Sequence, residues 1–352
     1  MERLTAARKL LRQLDLDALL VQKMENRRYL SGFSGSDGCL IVKKDAAFLV
    51  TDGRYTTQAA QECDASVGIV LQGKSLWETV GDCLGGAAIV GVEQDAVTYE
   101  QWGKIAAALP GKTLAPIKLD GLRQIKDASE IRLIAEAVRI ADEAFALLTP
   151  ELRPGMTELE TAARLEYFMR SHGAAGLAFE TIAASGARSA LPHGQPTQKL
   201  LHPGDLLTLD FGAVYGGYCS DITRTVVIGR ADCWQRALYE DVLTAQLTAL
   251  AAVRPGIAAS QVDAAAREIL RQSGRVAAFN HGLGHSVGLA IHEEPRFSPS
   301  CDTILIPGMV MTVEPGAYYP GIGGVRIEDT VVVTETGCRK LTQTDKRLLE
   351  IG

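Results

Sequence analysis

The chain has 352 residues, 47% apolar and 22% charged, a composition of folded globular protein rather than disordered chain. Its net charge of −6, from 36 basic and 42 acidic residues, excludes the basic surplus needed to wrap nucleic acid. No apolar run approaches the roughly 18 residues of a membrane span, and MERLTAARKLLRQLDLD is too charged for a signal-peptide core, so a cytoplasmic protein is expected.

At roughly 150 residues per domain, the length suggests two domains. The N-terminal segment reads as an amphipathic helix. LDALLVQ, GCLIVKKDAAFLVTD and AAIVGVE read as buried or half-buried strands, with a hairpin around Lys43-Lys44-Asp45. LWETVGDCLGG and YEQWGKIAAALPG read as helices ending at glycine. Helix alternating with strand predicts a small α/β domain over residues 1–124. Near Ile125 the pattern changes. Asp127 and Glu130 form a capping box ahead of an apolar stripe of Ile131, Ile134, Val138, Ala141, Phe145 and Leu148, so a helix opens a second domain over 125–352.

The second domain reads as duplicated. RPG at 153–155 recurs at 254–256, each copy ahead of an Ala-rich helix that closes on a basic residue and glycine. PGDLLTLDFGAVY at 203–215 aligns without gaps on PGMVMTVEPGAYY at 307–319, which places Asp210 on Glu314. DITRTVVI from Asp221 matches EDTVVVT from Glu328, and LPHGQP aligns with AIHEEP, setting His193 on His292. Four blocks in the same order, at offsets between 99 and 107, imply two α/β halves about a pseudo-two-fold axis.

In each half one carboxylate ends an outgoing strand and another begins the return, with a Gly/Tyr-rich turn between them. Asp210, Asp221, Glu314 and Glu328 therefore converge if the halves are related. Such a cluster repels itself, and two divalent cations would balance it. Oxygen ligands suit Mn, Co, Mg or Zn, and one imidazole favours the transition metals. Two such ions can share a bridging hydroxide, so the chemistry expected is metal-assisted hydrolysis. Asp329 competes with Glu328, but strand alternation turns it to the opposite face. All six histidines lie beyond residue 171, and HGLGHSVGLAIHEEP carries His281, His285 and His292. Arg326 reads either as a partner orienting the carboxylates or as a surface ion pair. The seven cysteines, with no C-x-x-C, read as reduced, buried apolar side chains.

The whole chain resembles the Xaa-Pro peptidases of the pita-bread metallopeptidase family, prolidases and aminopeptidase P. The motifs that carry the likeness are RYLSGFSGSDG, TDGRY, SGARSALPHGQP, LDFGAVYGGYCSDITRT, HGLGHSVGLAIHEEPRFS and VEPGAYYPGIGGVRIEDT. The resemblance implies an α/β N-terminal domain before an α+β duplicated pita-bread catalytic domain. It implies two divalent metal ions (Mn, Co or Zn) on Asp210, Asp221, His285, Glu314 and Glu328, with Glu314 also taking a proton from the attacking water. It further implies that His193 and His292 contact the substrate and that Arg296 pairs with its C-terminal carboxylate. The partner implied is a proline-containing di- or oligopeptide, cleaved before proline by a homodimer, with residues near Gly35–Asp37 restricting substrate length. Xaa-Pro dipeptidase is favoured over Xaa-Pro aminopeptidase. A metal-free binding protein, or a metal-free amidinohydrolase like creatinase, is the alternative that the complete ligand set disfavours.

Overall fold

A computed structural model describes residues 2–352. It falls into two compact units, one ending at Arg123 and one spanning Gln124–Gly352.

In the first unit, the helix Glu2–Gln13 buries Leu4, Ala7 and Leu11, three positions at helical spacing. The expected strands form at Ala18–Val21, Cys39–Lys43, Ala47–Thr51 and Ile89–Glu93, and the expected hairpin pairs Cys39 with Val50. Two further strands, Gly68–Leu71 and Thr113–Ile117, complete a six-stranded mixed sheet at its two edges. Neither was expected, because an edge strand needs little apolar alternation; Gly68–Leu71 is mostly exposed. The helices Met24–Ser31 and Thr56–Glu62 were also unforeseen. The first is polar yet buried, with Asn26 and Arg27 inside. Leu76–Leu84 ends on Gly85 as expected, whereas Tyr99–Ala108 ends on Leu109, before the nearest glycine.

In the second unit, Asp127 caps the helix Ala128–Leu148. Its carboxylate accepts the Ser129 and Glu130 amides, and Glu130 Oε2 accepts the Asp127 amide at 3.0 Å. The helix pair Ala128–Leu148 and Glu158–Ser171 is repeated by Cys233–Ala252 and Ala259–Gln272. The turns entering the second helix of each pair match closely. Gly155 and Gly256 have φ of 87° and 85°, and each amide donates at 2.9 Å to a leucine carbonyl, Leu201 or Leu305. Strands Ile182–Ser185, Leu206–Phe211 and Ile222–Ile228 are antiparallel neighbours in one sheet. Gly284–Ser286, Val310–Val313 and Asp329–Val333 repeat that order in the other. Each helix pair shares an apolar cluster with its own sheet: Phe145, Leu165 and Met169 with Leu207 and Phe211, Val242, Val262 and Leu270 with Met311 and Val331.

Where the halves meet, the strand Ile222–Ile228 is tied to residues 326–330. The Glu328 amide donates to the Thr223 carbonyl at 3.1 Å, Thr225 Oγ1 to the Arg326 carbonyl at 2.9 Å, and Thr330 Oγ1 to the Asp221 carbonyl at 2.8 Å. Thr223 and Thr225, with Arg326, are buried there, so the seam is polar and hydrogen-bonded rather than apolar.

Two expectations need correction. The segments between the paired carboxylates are not simple turns. Ala213–Tyr215 pairs with Tyr218–Cys219, and Gly316–Tyr319 with Gly323–Arg326, so each is a small hairpin with its own ladder. Their glycines hid this, since glycine also suits turns. The cysteines are unpaired as expected, but only Cys39 and Cys219 are fully buried; Cys233 is exposed in the first turn of its helix.

Gly212 lies between the strand carrying Asp210 and its hairpin, and an added Cβ would sit 2.0 Å from the Ser220 carbonyl oxygen. Gly212→Ala should push residue 220 outward and cost about 1–3 kcal/mol of stability, read by denaturant unfolding. An unchanged midpoint would mean the close approach is not needed.

Candidate metal centre

Both sheets deliver carboxylates to one place. Asp210, near the end of Leu206–Phe211, stands cross-strand from Thr223 and Ile182. Asp221 directly precedes Ile222–Ile228. Glu314 directly follows Val310–Val313, its amide held by the Leu283 carbonyl at 2.8 Å. Glu328 directly precedes Asp329–Val333. His285 is central in Gly284–Ser286, beside a glycine whose Cβ would lie 2.2 Å from the Thr312 carbonyl.

Asp210, Asp221 and Glu328 each offer an oxygen within 4.8 Å of the other two. His285 Nε2 lies 3.4 Å from Asp221 Oδ2 and 3.5 Å from Glu314 Oε1, so all five side chains form one cluster. The remaining polar atoms are held from behind. Arg326 Nη2 donates to Asp210 Oδ2 at 2.6 Å, Thr223 Oγ1 to Glu328 Oε2 at 2.7 Å and Thr312 Oγ1 to Glu314 Oε1 at 3.2 Å. His285 Nδ1 donates to the Ser286 carbonyl at 3.1 Å, which turns Nε2 towards the carboxylates. Asp210 Oδ1 and Glu328 Oε1 are buried with no hydrogen-bond donor among the described residues. An unsatisfied buried acceptor costs about 1–3 kcal/mol. Two such oxygens beside three more donors, four carboxylates and one imidazole in all, fit a divalent-cation site.

The electrostatics agree. Burial pushes the Asp221 carboxyl up to about 6, and the neighbouring Asp210 adds to it. Burial likewise lifts Glu314 to about 7, and Glu328 is raised well above its ordinary value by burial and then by Asp221 and Glu314. For His285 burial alone would lower the imidazole; the facing Asp221 and Glu314 carboxylates outweigh it and bring it to about 9. Without a cation the cluster therefore retains protons.

Asp210, Asp221 and Glu314 form part of the wall of a cavity of about 430 Å³, with Phe179, Ile182, Pro192 and Ile291 among its apolar lining. His193, His292 and Arg296 also line it. His292 meets His285 edge-on, with ring centroids 4.5 Å apart; it is exposed, and partial loss of hydration on the cavity wall, followed by the neighbouring His285, lowers its imidazole. The Arg296 guanidinium is half-exposed and only loosely tied, 3.5 Å from Glu294. Arg326 is 3% exposed, so the surface-pair reading fails. Asp329 turns away from the cluster to Arg224, Gln246 and Lys346, at 2.9, 3.0 and 2.7 Å. Gly35–Asp37 belongs to the first unit, where the buried Arg27 donates to the Gly35 and Gly38 carbonyls.

Four residues were not singled out from the sequence as site residues. Thr223 and Thr312 hold carboxylates, and their sequence signal is a strand position two residues from an acid. His281 and Tyr318 continue the Arg326 contact. Arg326 Nη1 donates to Tyr318 Oη at 2.9 Å, which donates to His281 Nε2 at 2.9 Å, while His281 Nδ1 donates to the Gly282 carbonyl at 2.8 Å. Burial lowers His281 to about 4, which suits a neutral acceptor. His281 could have been suspected from the HGLGH string.

Residues 132–335 match the family described as metallopeptidase family M24, and residues 3–125 match the Creatinase/Prolidase N-terminal domain. A Pyrococcus furiosus protein described as Xaa-Pro dipeptidase is 40% identical over 351 residues, covering 99% of both chains. The structure of an Xaa-Pro dipeptidase from Bacillus anthracis superposes with a TM-score of 0.97 at 39% identity, covering 100% of this chain and 99% of that one. That of an X-Pro aminopeptidase from Thermotoga maritima MSB8 gives 0.90 at 38% identity, covering 97% and 99%.

The shifted groups imply a pH dependence. Asp221, Glu314 and Glu328 have raised folded values, so their favourable contribution is complete below the ordinary carboxylate range of about 4. It is lost as pH rises through about 6 and 7, and that of His285 is lost as pH rises through about 9. Chelator-treated protein should thus lose stability across this window. Added Mn should raise its melting temperature more at about pH 8 than at about pH 5, because bound ligands must shed protons. Equal gains at both would contradict the cluster.

Proposed function

Because this chain belongs to metallopeptidase family M24, we propose that it hydrolyses the peptide bond preceding proline, with Xaa-Pro dipeptides as its main substrates. The carrying observation is the convergence of five metal-type donors in one cluster, four of them lining a cavity, with two buried oxygens that have no hydrogen-bond donor among the described residues. Residues 1–124 are taken as the N-terminal domain and 125–352 as the catalytic domain.

Asp210, Asp221, His285, Glu314 and Glu328 would hold two divalent ions, with Mn, Co and Zn as the candidates. When bound, such ions polarise a carbonyl and lower the pKa of water. Glu314 is assigned as the proton acceptor, a carboxylate on the cavity wall within the cluster. His292, on the cavity wall beside His285, is assigned to donate an N–H to the oxygen on which negative charge develops. His193 is assigned to the same substrate, assisting departure of the proline nitrogen. Arg326, fixed on Asp210 and Tyr318, orients the carboxylates. The loosely held Arg296 fork can take a C-terminal carboxylate in two places, and a cavity of about 430 Å³ is of small-ligand size.

A second reading, Xaa-Pro aminopeptidase, is favoured by one observation: Arg296 is half-exposed, so a longer chain could continue past it. The assembly expected is a homodimer, with the cytoplasm as its location and neither nucleic acid nor membrane as a partner.

Assays of Xaa-Pro against Xaa-Pro-Yaa, with Mn, Co and Zn added separately, test the assignment. Glu314→Gln removes a ligand charge and the assigned base, and should reduce kcat by at least about a thousandfold with the fold retained. Near-normal turnover would refute that role. Arg296→Ala should lower kcat/KM for Xaa-Pro by about tenfold or more, with a smaller loss on Xaa-Pro-Yaa. Equal losses would shift the assignment to aminopeptidase.

A further inference from the structure

A buried charge pair lies beside the two histidines without belonging to the cluster. Lys126 Nζ is 3.1 Å from Glu293 Oε2 and 2.8 Å from Ser286 Oγ, and the two charged side chains are only 1% and 2% exposed. Ser286 follows His285, and its carbonyl accepts the His285 Nδ1 proton. Glu293 follows His292, and its Oε1 accepts the Ala290 amide at 3.1 Å. The segment 287–292 is thus gripped at both ends by one ion pair. Gly288 backs the grip so closely that a Cβ there would stand 2.7 Å from Glu293 Oε2. The ladder also shifts register between His285 and Ser286, so regular strand pairing does not by itself set the spacing of the two imidazoles.

We propose that Lys126 and Glu293 are positioning residues, whose ion pair sets the distance and angle between His285 and His292. Neither touches substrate. The inference rests on the roles assigned above to those histidines. A buried ion pair is a weak source of net stability, because the loss of hydration offsets the attraction. It is a strong source of geometry, and an imidazole contacting a metal or a transition state must be held to within about 0.5 Å.

Two variants separate positioning from support. Lys126→Met alone removes the lysine charge facing a buried carboxylate and damages the fold as such. The double variant Lys126→Met with Glu293→Gln removes both charges together. Gly288→Ala displaces the Glu293 carboxylate without altering either charge. In both, Mn affinity by titration calorimetry should weaken by about 10- to 100-fold. At saturating Mn, kcat on an Xaa-Pro dipeptide should fall by about tenfold or more, with KM within about threefold. Either loss, in a variant melting within a few degrees of wild type, upholds the proposal. Wild-type Mn affinity together with wild-type kcat overturns it, as does a lowered melting temperature with both unchanged. If the double variant does not fold, Gly288→Ala decides by the same criteria. Wild-type protein that takes up no Mn overturns the metal reading, and this inference falls with it. Mn uptake without Xaa-Pro cleavage overturns only the substrate assignment, and the affinity measurement then decides.

Discussion

Carboxylates packed out of water within 4.8 Å of one another cannot all remain ionised unless positive charge sits among them. That constraint organises the second unit. Asp221 and Glu328 are nearly inaccessible, at 5% and 1% exposure, and the Arg326 guanidinium pairs directly with Asp210. Arg326 and a protonated His285 do not offset four acids, and the buried oxygens of Asp210 and Glu328, with no donor among the described residues, are where further positive charge would bind.

The fold pays for this crowding with a polar seam. Thr223 illustrates the economy of the arrangement: its backbone carbonyl takes the Glu328 amide, its hydroxyl holds the Glu328 carboxylate, and Arg326 Nε donates to the same hydroxyl at 3.0 Å. A residue from one half thereby fixes a donor and its supporting arginine from the other. Arg224, on the same strand, reaches the opposite face and binds Asp329, with Gln246 and Lys346 completing that second polar centre. Alternation along one strand separates two acidic neighbours, Glu328 and Asp329, into an under-neutralised cluster and a fully paired one. The shifts follow suit: Glu328 is raised, whereas the cations around Asp329 overcome burial and lower it.

The internal repeat made much of this legible beforehand. Because Asp210 aligns with Glu314 and Asp221 with Glu328, the repeat alone brought four acids together, and matched strand order in the two sheets realises that expectation. The capping box at Asp127 was equally readable, since it depends on two residues three apart. What escaped notice obeys non-local rules. The edge strands Gly68–Leu71 and Thr113–Ile117 exist because a neighbour offers a hydrogen-bonding edge. Tyr318 aligns with Val214, so the repeat does not single it out, and its link to His281 spans 37 residues. Lys126 meets Ser286 and Glu293 across 160 and 167 residues, a contact no local pattern announces. The family likeness reached residue types at matched positions, but not the contacts that hold them in place.

The most direct measurement is anomalous X-ray scattering from crystals of protein loaded with Mn, paired with metal analysis of the same sample. The account predicts about two equivalents and two anomalous peaks roughly 3.5–4 Å apart among Asp210, Asp221, His285, Glu314 and Glu328. Density elsewhere on the surface, or none among these side chains at saturating metal, would contradict it.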